Sequence, residues 1–190
     1  MYPLFETIAF INGKPQNLAY HQARYEKSLF EFYGLAESAV NLAEILANPT
    51  ALPSNELVRC RIDYNQYSQQ IQFFPYKKRY IRTFQPVICD EIRYNLKFSD
   101  RTLLNQLYEK RGQSDEIMLI KQGMITDCTI GNLILKRQGE WFTPDTPLLQ
   151  GTQRERLLQQ QKIQLRHIPL KELDLFDEIR LINAMNGLDE

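Results

Sequence analysis

What this chain has little of narrows its class first. Its 190 residues include only three cysteines, Cys60, Cys89 and Cys128, an odd number with no CxxC spacing. Neither a disulfide framework nor a zinc site is expected from them, and a reducing compartment fits. An excess of either charge is missing too, since 23 basic residues stand against 23 acidic ones. The short run Lys77, Lys78, Arg79 reads as a solvated turn, so no nucleic-acid or membrane surface is indicated. No apolar run approaches the ~18 residues that a membrane helix requires. The amino terminus MYPLFETIAF is too short and too acidic for a signal peptide, and a cytoplasmic protein is expected. Internal repeats and low-complexity tracts are absent. What is there is ordinary globular material: 43% hydrophobic and 11% aromatic residues, enough for one sizeable core or two small ones and without the marks of disorder.

The pattern divides near residue 90. Leu4 to Ile11 is β-rich and ends at Asn12-Gly13, a hairpin signal, with a return strand expected at Gln16 to Leu18. Tyr20 to Tyr33 places Tyr25, Leu29 and Phe32 at helical spacing and closes at Gly34. A second helix is expected over Ser38 to Ala47, with Pro49 and Pro53 at its exit. Leu57 to Tyr64 and Gln70 to Pro75 read as a hairpin around Asn65-Gln66, and Thr83 to Cys89 as a further strand. After a connector, Ser99 to Arg111 reads as a helix capped by Ser99 and stopped at Gly112. A β-meander follows: Glu116 to Lys121, Met124 to Thr126, Asn132 to Lys136 and Glu140 to Thr143, around Gln122-Gly123 and Gln138-Gly139. Helix returns at Thr152 to Gln161, then strands at Ile163 to Ile168 and Glu178 to Asn183. The class is α+β.

Three strings carry the chemistry: HQARYEKS with Arg24; YNLKFSDRTLLNQL; and the pair ITDCTIGNLIL and TPLLQGTQRERLL. In order and spacing they resemble the class IV aminotransferases, pyridoxal-phosphate enzymes that include branched-chain and D-amino-acid aminotransferases and aminodeoxychorismate lyase. The resemblance runs from Phe5-Glu6-Thr7 to the end of the chain. It implies a two-domain, D-amino-acid aminotransferase-like α+β fold, divided as 1–90 and 91–190, with pyridoxal 5'-phosphate in the interdomain cleft. A homodimer is implied as well, because in this family the neighbouring subunit completes the pocket.

Such a site needs an amine, a carboxylate beside the pyridine nitrogen and a phosphate cradle. YNLKFSDR matches the family's LK-x-LNR, which puts the Schiff base on Lys97, reaching in from the carboxyl-terminal domain. A buried lysine has a lowered pKa, so its neutral amine can attack the aldehyde and shuttle a proton. Asp127 stands where the family has glutamate in TE-x-x-x-x-N, here Thr126 to Asn132. A carboxylate there keeps the pyridine nitrogen protonated through a bond worth about 1.5 to 3 kcal/mol. Gly151-Thr152-Gln153-Arg154 matches GITR at a helix start, which assigns phosphate to the backbone of Thr152 and Gln153. Arg24 matches H-x-x-R and would bind phosphate bidentately, with His21 as a packing or hydrogen-bonding residue. His167 is expected to be structural, in a strand and without partners. Arg101 falls where relatives place a tyrosine near the cofactor's ring hydroxyl. Asn183, Ala184 and Met185 fall at a turn whose amides bind phosphate or the substrate carboxylate.

The family's GDGVFET leader is represented only by its last residues, so substrate preference cannot be borrowed. Transamination between an amino acid and a 2-keto acid is the first reading. The second is a lyase of the aminodeoxychorismate type that releases pyruvate and 4-aminobenzoate. The third is a non-catalytic relative that binds cofactor or a partner without turnover. In each enzymatic case the substrate is a small amino acid or an aminochorismate, with no nucleic acid and no membrane involved.

Overall fold

A computed structural model describes residues 1–34, 40–49, 52–53 and 56–188. Its contacts group into two compact units. One is Met1–Lys78 with Leu96–Asp100, and the other is Arg79–Asn95 with Arg101–Glu190. The segment bearing Lys97 therefore counts with the first unit, whereas the sequence division at residue 90 assigned it to the second.

In the first unit, β1 (Leu4–Ile11) turns through Asn12 and Gly13, both at positive φ, into β2 (Lys14–Pro15). The return strand is shorter and earlier than expected. Asn17, at φ 54°, redirects the chain into α1 (Leu18–Tyr33) before a longer strand can form. Gly34 closes that helix at φ 71°, its N–H donating to the Phe30 carbonyl at 2.8 Å. The inward face of α1 carries His21, Tyr25, Ser28 and Leu29, while Phe32 is 43% exposed, against the expected stripe. The second helix is only α2 (Leu42–Ile45), because Asn41 caps it by accepting from the amides of Ala43 and Glu44; positions 38 and 39 of the expected helix lie outside the described residues.

β3 (Leu57–Tyr64) and β4 (Gln69–Pro75) complete an antiparallel sheet in the order β2-β1-β3-β4. Strict alternation on β3 sends Val58, Cys60, Ile62 and Tyr64 into a core with Leu4, Ile8, Phe10, Tyr25 and Leu29. Each such side chain contributes about 1.5 to 3 kcal/mol by leaving water. Arg59, Arg61 and Asp63 fall on the opposite face. At the edge of β1, Phe5 N–H donates to the Lys97 carbonyl at 3.0 Å and Ser99 N–H to the Pro3 carbonyl at 2.8 Å. Ser99 is thus held by β1 and does not cap the next helix; α3 (Thr102–Tyr108) begins three residues later, with Arg101 at its cap position.

The second unit holds β5 (Phe84–Ile88), α3, a 3-10 turn at Glu109–Arg111, β6 (Glu116–Lys121), β7 (Met124–Ile125), β8 (Asn132–Arg137), β9 (Glu140–Pro144), α4 (Thr152–Gln159), β10 (Gln164–Arg166), a 3-10 segment at Leu170–Leu175 and β11 (Glu178–Ile182). It is not a meander. It has two sheets, β5-β6-β7 and β10-β9-β8-β11, and each contains a parallel pair, β5 with β6 and β9 with β10. Helices α3 and α4 lie within those two connections and carry the chain back to the starting end, as a parallel pair requires. The turns at Gln122-Gly123 and Gln138-Gly139 do form hairpins with both residues at positive φ. Among the described residues no helix is long and apolar enough to cross a membrane.

The bend into β8 passes Gly131, where a Cβ would lie 2.2 Å from Leu181 Cδ1 and 2.5 Å from the Ile182 carbonyl. Gly131→Ala is expected to cost about 1 to 3 kcal/mol through overpacking, read as a lower midpoint in urea with an unchanged slope.

Candidate functional site

The site residues fall into two groups, one in each unit. In the first, Glu6 is an acid at a position of β1 that faces the helix, and it is fully buried. Arg24 answers it from α1, donating Nε to Oε1 at 2.8 Å and Nη2 to Oε2 at 2.6 Å. His21, one helical turn earlier, reaches Oε2 with Nδ1 at 2.8 Å. Burial alone would raise the Glu6 pKa, but the Arg24 charge and the bonds from His21 and Arg24 outweigh it and hold the carboxyl at about 2. Burial also lowers the His21 pKa, only partly offset by Glu6. His21 is therefore neutral at pH 7 and donates Nδ1–H to an ionised carboxylate, which makes this contact a hydrogen bond and not an ion pair. The Nε–Nη2 edge of Arg24, expected to grip a phosphate, is occupied by Glu6.

Lys97 stands at the edge of the same sheet, fixed through its carbonyl by Phe5 N–H. Its Nζ lies 4.6 Å from the centroid of the Phe5 ring. The residue is half-buried, short of the full desolvation that the sequence reading anticipated.

In the second unit, the two strings that were separate in sequence meet. Asp127 is 4% exposed; its Oδ1 accepts from Asn132 Nδ2 at 2.8 Å and its Oδ2 from the Leu149 amide at 2.9 Å. Asn132 also donates to the Leu149 carbonyl at 2.8 Å. Its Oδ1 lies so close to Gly151 that a Cβ there would be 1.9 Å away. Glycine at 151 is thus required by Asn132, the last residue of the TDxxxxN string. Burial pushes the Asp127 carboxyl up to about 6, with the Leu149 amide, Asn132 and the Arg154 charge acting against it.

Gly151 opens α4, whose intrahelical ladder starts with Glu155 N–H on the Gly151 carbonyl at 2.9 Å. Thr152 and Gln153 form the first turn and are buried. Arg154 is an anchor, with Nη2 on the Pro144 carbonyl at 2.9 Å and Nε on Thr143 Oγ1 at 3.3 Å. Arg101 donates Nη2 to the Thr129 carbonyl at 2.7 Å and Nη1 to Tyr94 Oη at 3.2 Å. Thr129 Oγ1 in turn donates to Glu116 at 2.8 Å, a carboxyl whose pKa burial raises. Asn183 organises the expected turn: its Oδ1 accepts from the amides of Met185 and Asn186 at 2.8 and 3.0 Å, and its Nδ2 donates to the Ile130 carbonyl at 3.0 Å. The Met185 amide is thus committed to Asn183, and Ala184 lies between the two in the turn. His167 lies outside the strands and contacts Asp145 Oδ2 through Nδ1 at 3.3 Å, correcting the partnerless strand position expected of it.

Sequence reasoning assigned no role to Glu6 or Glu116. A readable signal existed for Glu6, an acid at a core-facing position of an apolar strand, which demands a charged partner.

Residues 95–188 match the family described as amino-transferase class IV. A Haemophilus influenzae protein of uncharacterised function is 58% identical, the match covering 99% of this chain and 100% of that one. Among solved structures, a candidate 4-amino-4-deoxychorismate lyase from Haemophilus somnus 129PT is 54% identical, with TM-score 0.95 over 99% of this chain and 98% of that one. A candidate amino-acid aminotransferase from Mesorhizobium loti shares the fold at TM-score 0.80 and 22% identity, over 99% and 97% of the two chains.

The two buried carboxylates drive stability in opposite directions with pH. The Glu6 pKa is depressed, so its contribution is present above the ordinary value of 4.5 and lost as the pH falls through about 2. The Asp127 pKa is raised, so its contribution is present below 3.8 and lost as the pH rises through about 6. Each span corresponds to about 3 kcal/mol. Urea unfolding across pH is expected to show that Glu6→Gln removes the acid-side loss and Asp127→Asn the fall between pH 4 and 6.

Proposed function

The chain belongs to the class IV aminotransferase family, and from that premise we propose a pyridoxal-phosphate-dependent lyase of the 4-amino-4-deoxychorismate type, with Lys97 holding the cofactor. The observation that carries the cofactor assignment is the Asp127–Asn132–Gly151 contact, which ties a buried carboxylate to the start of α4. The donor set fits the group: an amine at Lys97, a buried carboxylate, the Arg24 guanidinium and a helix that opens at glycine. The 54% identity to the Haemophilus somnus protein over nearly the whole of both chains supports the lyase reading ahead of transamination.

When bound, the cofactor supplies an electron sink in its pyridine ring. Lys97 Nζ holds it and then moves the proton on the substrate carbon that bears the amino group. Asp127 keeps a proton on the ring nitrogen; as a carboxylate it accepts that bond in addition to those from Asn132 and Leu149. The amides of Thr152 and Gln153, the Arg24 guanidinium and the Ala184 amide are the groups assigned to the phosphate. Arg101 serves the ring hydroxyl, and Asn183 shapes the turn around Ala184. Transamination would use the same residues; in the lyase reaction removal of that proton is followed by breaking of the ring C–O bond, so that the enolpyruvyl group leaves, takes up a proton as pyruvate, and the ring becomes aromatic. A homodimer in the cytoplasm is part of this reading.

Purified protein with pyridoxal phosphate is expected to show a visible absorption band that Lys97→Ala abolishes, and to release pyruvate and 4-aminobenzoate from aminodeoxychorismate. Bleaching of the band by one amino acid, with formation of pyridoxamine phosphate and no pyruvate release, would establish the transaminase instead. No lysine-dependent band would overturn the cofactor assignment.

A further inference from the structure

Glu116 is an acid where the packing asks for a hydrophobe. It opens β6, the central strand of the β5-β6-β7 sheet, in a run of five buried residues, and is itself 2% exposed. Among the described residues it makes no ion pair: its Oε1 accepts from the neighbouring Ile117 amide at 2.8 Å and its Oε2 from Thr129 Oγ1 at 2.8 Å. Burial raises its pKa, and the Ile117 amide, the Thr129 hydroxyl and amide and, least, the Arg101 charge act against that rise. A buried carboxyl held only by neutral donors is costly, so strand packing does not explain it.

Its partner Thr129 lies in the loop between Asp127 and Asn132 and is held from two sides, through its hydroxyl by Glu116 and through its carbonyl by Arg101 Nη2 at 2.7 Å. Arg101 makes its other bond to Tyr94 Oη at 3.2 Å, with Cζ 5.9 Å from the centroid of that ring. Both acceptors are neutral, so the pose of the guanidinium depends on where the Thr129 carbonyl is fixed. The next two carbonyls of the loop are committed as well, that of Ile130 to Asn183 Nδ2 at 3.0 Å and that of Gly131 to the Cys128 amide at 3.0 Å. The bond from Thr129 Oγ1 to Glu116 ties the loop to β6 from behind.

We infer that Glu116 and Thr129 are positioning residues for the cofactor's ring hydroxyl, acting on it through Arg101. This rests on the reading that the chain binds pyridoxal phosphate with Arg101 at that hydroxyl. Glu116 fixes the Thr129 side chain, Thr129 presents its carbonyl to one arm of Arg101, and Tyr94 takes the other arm. Among the described residues the Arg101 Nε makes no hydrogen bond. A planar fork fixed at both amino ends is preorganised toward one further acceptor, and it loses that preorganisation when the loop carbonyl is free to shift.

The test is calorimetric titration of the full-length protein with pyridoxal phosphate and with 3-deoxypyridoxal phosphate, which lacks the ring hydroxyl. A positioning role acts on the first ligand alone, whereas a general loosening of the fold weakens both. Thr129→Val is expected to weaken pyridoxal phosphate by about tenfold, the order of a lost hydrogen bond to a charged group, and to leave the deoxy analogue within about twofold of wild type. Thr129→Ser, which keeps the hydroxyl, should retain wild-type affinity. Glu116→Met should match Thr129→Val, and Glu116→Gln, which keeps an acceptor for the hydroxyl, should recover part of the loss. If Arg101→Gln shows the selective loss but folded Thr129→Val and Glu116→Met proteins do not, or lose both ligands equally, the inference is overturned and the Arg101 assignment stands. An Arg101→Gln protein that loses neither ligand or both alike overturns that assignment, and no binding by wild type overturns the cofactor reading; the inference falls with either.

Discussion

The docking of residues 96–99 along the edge of β1 is the constraint from which the rest of the first unit's chemistry follows. It consists of backbone pairing, Phe5 N–H on the Lys97 carbonyl and Ser99 N–H on the Pro3 carbonyl, and so it fixes the lysine whatever its side chain does. Because β1 alternates, the same short stretch gives one residue to each role. Phe5 faces the lysine and Arg61, while Glu6 faces the helix and locks Arg24 and His21. Shifting that register by one residue would put the phenylalanine into the helix interface and the glutamate beside the amine.

The second unit solves a different problem, how to keep a carboxylate in the interior without neutralising it fully. Asp127 has donors on both oxygens and a guanidinium in its field, yet burial still lifts it to about 6. Burial thus favours the protonated form of this carboxyl, and a positive charge placed against it would favour the ionised one. The same unit packs closely at two glycines: a Cβ at Gly151 would meet Asn132, and one at Gly131 would meet Leu181 and the Ile182 carbonyl.

Much of this was legible in the sequence because it is local. The turns at Asn12-Gly13, Gln122-Gly123 and Gln138-Gly139, the stop at Gly34, and the spans of β3 and β6 are written in dihedral preference and two-residue alternation. The strings around Lys97, Asp127 and Gly151 pointed to the family, which the comparisons show. What misled was non-local. Ser99 looks like a helix cap until Pro3 and Asp63 claim it, and a run of short strands looks like a meander until α3 and α4 are seen to bring the chain back parallel. Arg24 was legible as a functional cation, but its bidentate partner Glu6 sits 18 residues away, and no spacing rule joins them.

The chain leaves the first unit at Lys78 and comes back to it for only five residues, Leu96 to Asp100. This governs how the molecule can be taken apart. A fragment cut at residue 78 would keep β1 but lose the segment bridged to its edge, leaving amides that invite another chain to pair there. A self-contained amino-terminal half would have to carry residues 96–100 back through a grafted linker, and Lys97 would travel with that half although it is encoded beyond the cut.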